Sequence, residues 1–244
     1  MQPMVIGKQI HSQYQRVLDQ IAHSARSAGR DPAGVRLVVV TKGQPLEAVQ
    51  EVIAAGARNL GENYVEEAAP KIRACVEQTQ VNWHMIGHVQ SRKARPVCEN
   101  FDWLHSLDSL KLAQRLDRFA GELGRTLTVL LECNVSGEQT KSGFPAWEEQ
   151  DWPGMLPAVE HILALPNLKV NGLMAMAPFL PDAEQTRPYF NRLRRLQGFL
   201  AAEFAQADWR ELSMGMSADF KVAVQEGATL VRIGTAIMGP RPTQ

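Results

Sequence analysis

Short apolar runs alternate with segments of helical periodicity along most of this chain. A first helix is predicted at about residues 6–28, ahead of the first apolar run. Eight runs are rich in apolar and β-branched residues and have the length of buried strands. These candidate strands lie at residues 36–41, 58–62, 82–87, 101–107, 127–135, 168–176, 210–215 and 229–234.

The segments between the runs carry apolar residues at helical spacing. After the first run, Val49, Val52 and Ile53 share one helix face, and Gly56 is placed to end that helix. Strands separated by single helices predict a parallel sheet with right-handed crossovers. Eight such units fit a closed (β/α)₈ TIM barrel. An open doubly wound sheet is the alternative, because the second and seventh runs have weak strand propensity.

Composition narrows the class of protein. Lys+Arg and Asp+Glu each number 26 in 244 residues, so the formal net charge is zero. That balance removes the electrostatic argument for bulk binding to nucleic acid or anionic membranes. The basic stretch 187–196 has the spacing of a solvated helix face. No linker or low-complexity segment divides the chain, so a single domain over residues 1–244 is expected.

The cysteines and the lengths of the apolar runs indicate the cellular compartment of the protein. Cys75, Cys98 and Cys133 are odd in number, widely spaced and form no CxxC pair. This usage is typical of a reduced intracellular protein without a structural metal site. The first residues lack a signal-peptide apolar region, and no run reaches the roughly 18 residues of a membrane span. A cytoplasmic protein is therefore expected.

Lys42 follows the first apolar run, where a barrel strand would end. In this fold the functional face is formed by the carboxyl ends of the strands and the loops that follow them. A lysine at a strand end can simply extend its ammonium group into solvent. Partial burial, however, favours the neutral amine, which attacks aldehydes and ketones.

The last two candidate strands both end in glycine-rich turns with small hydroxyl side chains. Gly215 leads to Ser217, where a helix is expected to begin, and Gly234 leads to Thr235 at the next helix start. Glycine allows close backbone approach, and helix N-termini bind anions. Ser217 and Thr235 could instead serve only as N-caps. Two such turns opposite Lys42 favour a phosphate site.

A carbonyl-reactive lysine beside a phosphate site describes two ligand classes, a sugar phosphate in a class I aldolase and pyridoxal 5'-phosphate (PLP). Other polar residues are predicted on the same rim. Asn63 follows the second run, His84 lies inside the third, and Lys141 lies in a turn-rich loop after the fifth. His84 could also be a hydrogen-bonded core residue, and Lys141 a solvated loop lysine.

The chain resembles the PLP homeostasis protein family, whose barrel is similar to the N-terminal domain of alanine racemase. The resemblance covers about residues 5–240 and is specific, because separate motifs follow one another in the family's order. These motifs read VVVTKGQP, GENYVEEAAPKI, WHMIGHVQSRK, LHSLDSLKLA, NVSGEQTKSGF, NGLMAMAP and LSMGMSADFKVAVQEGATLVRIGTAIMG.

The resemblance implies a TIM barrel of the alanine racemase type, in which Lys42 forms a Schiff base with PLP. It implies that Arg232 faces the pyridine nitrogen and keeps it unprotonated, which weakens the ring as an electron sink. Asn63, His84 and Lys141 match positions that line the cofactor, and Lys141 is a candidate second amine for PLP or its transfer. The residues expected at the phosphate are Ser213, Met214, Gly215, Met216, Ser217, Gly234 and Thr235.

Two positions depart from the family pattern. Arg92 stands where asparagine is usual, and Met238 stands where phenylalanine is usual. Neither belongs to the expected lysine or phosphate positions, so the departures concern the rim and leave the expected cofactor unchanged.

The resemblance also bears on catalysis, because racemisation requires bases on both faces of the substrate carbon. In alanine racemase the second base is a tyrosine from a separate C-terminal domain, whereas this sequence ends soon after the last barrel unit. Tyr64 is the only tyrosine expected near the rim. A monomeric protein that holds PLP and delivers it to apo enzymes is therefore expected. The alternative is a weak racemase or related PLP enzyme with Lys141 or His84 as second base.

Overall fold

The computed structural model describes residues 3–77 and 81–240, and its centre is a closed barrel of eight parallel strands. The ring runs β1, β2, β3, β4, β5, β7, β8, β9 and closes where β9 pairs with β1. The strands are β1 (Arg36–Val40), β2 (Asn59–Glu62), β3 (Asn82–Met85), β4 (Trp103–Leu107), β5 (Leu127–Asn134), β6 (Phe144–Pro145), β7 (Leu168–Met174), β8 (Glu211–Ser213) and β9 (Leu230–Ile233). The two-residue β6 pairs only with β5 and lies outside the ring.

This ring confirms the predicted barrel and excludes the open doubly wound sheet. All eight candidate strands form, including the two with weak propensity. Gly61 of β2 illustrates the reason, because a Cβ built at this position would lie 3.0 Å from both Val38 and Ile86. A small residue is needed there, and pairing on both sides stabilises a strand that its own sequence specifies poorly.

Helices connect the strands and surround the barrel. They are α1 (Pro3–Ser27), α2 (Leu46–Ala54), α3 (Val65–Ala74), α4 (Ala94–Asn100), α5 (Leu110–Glu122), α6 (Leu156–Leu163), α7 (Arg187–Glu203), α8 (Phe220–Gln225) and α9 (Thr235–Met238). Shorter 3₁₀ helices occur at Pro32–Gly34, Ser91–Lys93, Glu149–Met155 and Ala183–Thr186. None of the helices in the described ranges is long and apolar enough to cross a membrane.

The extra N-terminal helix is confirmed and packs against α2, α8 and α9. Its buried face consists of residues spaced three or four apart, which is the spacing of one helix stripe. These residues are Ile10, Tyr14, Val17, Ile21 and Ala25.

One predicted helix start is wrong. The helix after β8 begins at Phe220, three residues later than the expected start near Ser217. The Asp219 carboxylate accepts a hydrogen bond from the Met216 N–H at 2.6 Å, and the Met216 carbonyl accepts from the Asp219 and Phe220 N–H groups. This turn separates Ser217 from the helix, so Ser217 is not its N-cap.

The apolar core has two parts. The larger part lies between the strands and the surrounding helices. The smaller part fills the barrel with Val38, Leu130, Met174 and Leu230, one residue from each of four strands. Each residue is at most 1% exposed, so truncation of Leu130, Met174 or Leu230 to alanine would cost about 2–5 kcal/mol.

Candidate functional site

A cavity of about 320 Å³ opens at the carboxyl ends of the strands, the face on which this fold carries its sites. Its size falls at the lower end of the range for small-molecule pockets. The cavity is lined by Val40, Lys42, Gln44, Asn63, Ile86, Met176, Phe179, Met216, Ser217, Ala218, Arg232, Gly234, Thr235 and Gly239.

Seven of the residues expected at the cofactor meet in this cavity. They come from the ends of β1, β2, β8 and β9, which are far apart in sequence and adjacent in the ring. The seven are Lys42, Asn63, Met216, Ser217, Arg232, Gly234 and Thr235.

Lys42 lies in a turn that begins directly after β1. Thr41 before it is wholly buried, and its N–H donates to the Gly61 carbonyl at 3.0 Å. Gly43 after it has φ +69°, a left-handed conformation that favours glycine. The strand end and the turn therefore fix the backbone from which the Lys42 side chain extends.

The two glycine turns lie beside the Lys42 turn and not opposite it as expected, because β9 pairs with β1 and β8 pairs with β9. Gly215 has φ +92°, and a Cβ there would lie 2.5 Å from the Cβ of Ala223. Gly234 is the N-cap of α9, and a Cβ there would lie 3.2 Å from Val40. Thr235 begins α9, where helix geometry leaves N–H groups without an intrahelical acceptor. Both turns thus require glycine for close packing and bring donor groups to the cavity.

Arg232 supplies a buried cation to the cavity wall. Its guanidinium donates to the Ser213 carbonyl at 2.7 Å, the Ser213 hydroxyl at 2.6 Å and the Ala175 carbonyl at 3.0 Å. Burial lowers the pKa of Arg232 to about 10, although Glu132 and Asp219 oppose the shift. The group therefore remains charged at neutral pH and is held in one orientation.

A chain of hydrogen bonds leads from Arg232 across the barrel interior. Ser213 Oγ lies 2.8 Å from His105 Nδ1, and His105 Nε2 lies 2.9 Å from His84 Nδ1. His84 Nε2 lies 3.1 Å from Asn59 Oδ1. We refer to these five residues as the interior chain.

The interior chain has one direction. Asn59 Oδ1 only accepts, so in two neutral rings the Nε2 atoms carry the hydrogens and His105 Nδ1 is left to accept from the Ser213 hydroxyl. The hydroxyl in turn accepts from Arg232, which only donates. His105 Nε2–H then donates to His84 Nδ1, and His84 Nε2–H donates to Asn59 Oδ1. This arrangement assigns the Nε2–H tautomer to both histidines.

Both histidines are fully buried and neutral. Burial, together with a smaller contribution from the Arg36 charge, lowers the pKa of His84 to about 3. Burial and the neighbouring His84, Arg232 and Arg36 lower the pKa of His105 well below its usual value. At neutral pH neither ring carries a charge, and neither has a nitrogen left to exchange protons with the cavity.

The remaining expected residues lie outside the cavity wall. Ser213 and His84 belong to the interior chain beneath it, Met214 is wholly buried, and Gly215 turns the backbone toward Met216 without lining the cavity itself. Lys141 forms an ion pair with Glu138, and its Nζ donates to the Met176 carbonyl at 3.2 Å. Because Met176 lines the cavity, Lys141 is one residue removed from it.

Sequence reasoning missed several residues of the site. Met176 and Phe179 reach the wall from the loop after β7, and Gln44 reaches it from the turn after β1. His105 joins His84 to Ser213 but was not singled out. Its signal was a histidine inside an otherwise apolar strand, the same signal that identified His84.

Within the described residues, no tyrosine lines the cavity. Tyr64 is the N-cap of α3 and is 62% exposed. It lines a neighbouring cavity of about 550 Å³, which shares Asn63 with the first. Tyr14 and Tyr189 lie in α1 and α7, as expected.

Comparison with known proteins identifies the class first. The family model of the alanine racemase N-terminal domain matches residues 17–242. Alanine racemase of Clostridium difficile superposes with a TM-score of 0.66 at 14% identity, over 93% of this chain and 56% of that one. At that identity the likeness shows the fold alone. The chain is thus a barrel of the alanine racemase N-terminal class.

More similar relatives define the family. A pyridoxal phosphate homeostasis protein of Pseudomonas aeruginosa is 45% identical over 228 residues, 93% of each chain. Its counterpart in Vibrio alginolyticus is 40% identical over 236 residues, 95% of this chain and 97% of that one. The solved structure of PipY from Synechococcus elongatus with PLP bound has a TM-score of 0.77 at 39% identity, covering 90% of this chain and 100% of that one. This chain belongs to the pyridoxal phosphate homeostasis protein family, which confirms the resemblance.

Proposed function

We propose that this chain binds PLP at the cavity as a Schiff base on Lys42 and serves in PLP homeostasis by holding and delivering the cofactor. The observation that carries the proposal is that Lys42, the buried cation Arg232 and two hydroxyl-bearing turns line one cavity of about 320 Å³. A relative 39% identical to the chain has a solved structure with PLP bound.

The side chains and backbone of the cavity suit the three reactive parts of PLP. The neutral Lys42 amine would form a C=N bond with the aldehyde carbon, and the carbonyl oxygen would leave as water. Ser217, Thr235 and the N–H groups at the start of α9 would bind the phosphate. Arg232, which faces the cavity, would meet the pyridine nitrogen.

Arg232 favours storage over catalysis. Bound PLP supplies an electron sink whose strength depends on protonation of the pyridine nitrogen. A guanidinium held by three oxygen acceptors presents only donors, so it opposes that protonation. A weak electron sink is compatible with a cofactor that is held and then released.

The described residues also offer no second base at the cavity. His84 has both ring nitrogens engaged in the interior chain. Lys141 Nζ is paired with Glu138 and donates to Met176. We therefore propose a PLP-binding protein without substantial catalysis, which acts in the cytoplasm as a monomer with a single domain over residues 1–244.

Borohydride reduction tests the attachment. After incubation with PLP and reduction, peptide mass spectrometry should find the label on Lys42. Lys42→Ala should abolish the label, whereas the control Lys111→Ala, an exposed position on α5, should retain it. A label on another lysine, or a protein that does not bind PLP, would contradict the proposal.

An amino-acid turnover assay separates a carrier from an enzyme. With D- or L-alanine, the PLP-bound protein should react no faster than free PLP at the same concentration. A clearly higher rate would favour the alternative of a weak racemase with Lys141 or His84 as second base.

Lys141 is proposed as a second amine that assists release. Its position beside Met176, on the cavity wall, would let it compete for the aldehyde as PLP leaves. PLP-loaded protein mixed with an apo PLP-dependent enzyme should activate that enzyme more slowly when Lys141 is replaced by alanine. Lys111→Ala serves again as control, and equal rates for both variants would exclude this role.

A further inference from the structure

We infer that Glu62, Lys71 and Glu67 form a positioning cluster that holds the backbone on both sides of Lys42. None of the three lines the cavity, and their role is to direct the Lys42 amine toward the aldehyde. The inference rests on the proposed function, because it assigns a role toward covalent capture of PLP.

On the N-terminal side, the cluster holds Thr41 by two groups. The Thr41 hydroxyl donates to Glu62 Oε1 at 2.7 Å, and the Thr41 carbonyl accepts from Lys71 Nζ at 2.8 Å. Thr41 is 0% exposed, so neither group has water as an alternative partner. The residue before Lys42 is therefore tied to both β2 and α3.

On the C-terminal side, the cluster holds Gly43. The Gly43 N–H donates to Glu67 Oε1 at 2.5 Å, and the same oxygen accepts from Lys71 Nζ at 2.6 Å. Lys71 Nζ also donates to Glu62 Oε1 at 2.9 Å. One ammonium group thus links the two carboxylates that hold the two neighbours of Lys42.

The burial and charge of the cluster indicate that its role is to fix the position of the backbone. Glu62 is wholly buried, Lys71 is 7% exposed, and Glu62 Oε2 has no partner among the described residues. Burial raises the pKa of Glu62 despite its bonds to Lys71 and Thr41. Replacing buried ion pairs with apolar residues is often neutral or stabilising, so stability is a poor explanation for this one. Directed hydrogen bonds to two backbone groups are what apolar residues could not provide.

Capture of PLP requires such direction. The aldehyde position would be set by Arg232 and by the turns after β8 and β9, so the amine must come to a fixed point. A displacement of about 1 Å between reacting groups can slow a reaction about 100-fold. A loosened Lys42 turn should therefore slow covalent capture without affecting the phosphate and ring contacts.

Two phosphorylated ligands separate positioning from structural damage. PLP has an aldehyde, whereas pyridoxine 5'-phosphate has an alcohol at the same carbon and forms no bond with an amine. Lys71→Met should slow the capture of PLP roughly tenfold or more, as measured by stopped-flow absorbance. Binding of pyridoxine 5'-phosphate should change by less than about twofold, the expectation for an undisturbed non-covalent site.

Glu67→Ala is the second variant, because Glu67 is partly exposed and its loss removes the Gly43 acceptor while Lys71 keeps Glu62. It should slow PLP capture in the same selective way, and it decides the question if Lys71→Met does not fold. Lys93→Met is the matched control. Lys93→Met breaks an ion pair with Glu66, which lies on α3 like Glu67 and Lys71. This variant should capture PLP and bind pyridoxine 5'-phosphate as the wild type does.

The outcomes are distinct. Wild-type rates of PLP capture in the folded Lys71→Met variant or in Glu67→Ala would overturn the inference. An equal loss of PLP capture and of pyridoxine 5'-phosphate binding would also overturn it. Borohydride labelling of the wild type is run in parallel. If Lys42 of the wild type is not labelled, the proposed function fails; if it is labelled and the variants capture PLP normally, only the positioning role fails.

Discussion

Acidification should destabilise the barrel through the two histidines of the interior chain. His84 and His105 are 0% exposed, and burial holds the pKa of His84 at about 3 and that of His105 well below its usual value. In the unfolded chain both would titrate near pH 6.5. Because the folded-state pKa values are depressed, the unfolded chain alone takes up these protons as the pH falls below about 6.5. The free energy of unfolding therefore decreases as the pH falls.

The size of the effect can be worked out for His84, because its folded-state pKa of about 3 keeps the ring neutral at pH 5. Between pH 7.5 and pH 5, His84 contributes a loss of about 2 kcal/mol, and His105, whose pKa burial also lowers, adds a loss in the same direction. Burial raises the pKa of Glu62, Glu132 and Asp219, and these groups act in the opposite direction. The total pH dependence therefore does not isolate the histidines.

A double variant isolates them. His84→Gln with His105→Gln removes both titrating rings, while the glutamine amides can still donate and accept hydrogen bonds within the interior chain. Urea unfolding of the cofactor-free proteins at pH 7.5 and pH 5 should show the wild type losing at least about 2 kcal/mol more than the variant. Equal losses in the two proteins would refute the assignment of two neutral buried histidines.

Three further predictions follow from single contacts. Gly215→Ala should lower the free energy of unfolding by about 2–5 kcal/mol, because its φ is +92° and the new Cβ would lie 2.5 Å from Ala223. Gly154→Ala, with no atom within 4 Å, is the control, and equal urea midpoints would contradict the clash. Ser109→Ala should cost about 0.5–2 kcal/mol by thermal or urea unfolding, since Ser109 caps α5; an unchanged value would show that the cap contributes nothing. Arg232→Gln should change the pH dependence of the absorption spectrum of bound PLP by removing the cation expected at the pyridine nitrogen, and an identical titration would exclude that contact.

Much of the fold could be predicted because buried parallel strands leave a strong signal. The first run, residues 36–41, is apolar on both faces and ends at breakers, and β1 forms there. The seventh run has a weak signal, yet Glu211–Ser213 is a strand because β7 and β9 pair with it on both sides. The start of α8 was missed because the Asp219 carboxylate replaces a helical hydrogen bond with a turn, a choice that composition does not reveal.

The candidate site was predictable where chemistry and strand end coincide. Lys42 and Thr235 each lie two residues after a strand end, so their positions on the rim follow from the ring. Phe179 lies in a long loop after β7, and its approach to the cavity depends on the path of that loop. Lys71 reaches the Thr41 carbonyl from 30 residues away, a contact that only the packing of α3 on the barrel creates.

The single direction of the interior chain constrains any redesign of the barrel. Each member from Ser213 to His84 receives a hydrogen from one neighbour and passes one to the next, and Arg232 at the head can only give. A substitute must therefore both accept and donate along that line, as an amide or hydroxyl does. A lysine offers only donors and a leucine offers neither, so either would break the sequence of bonds at that point. The residues of the interior chain therefore form an ordered set, and each can be replaced only by a residue that keeps the direction of the hydrogen bonds.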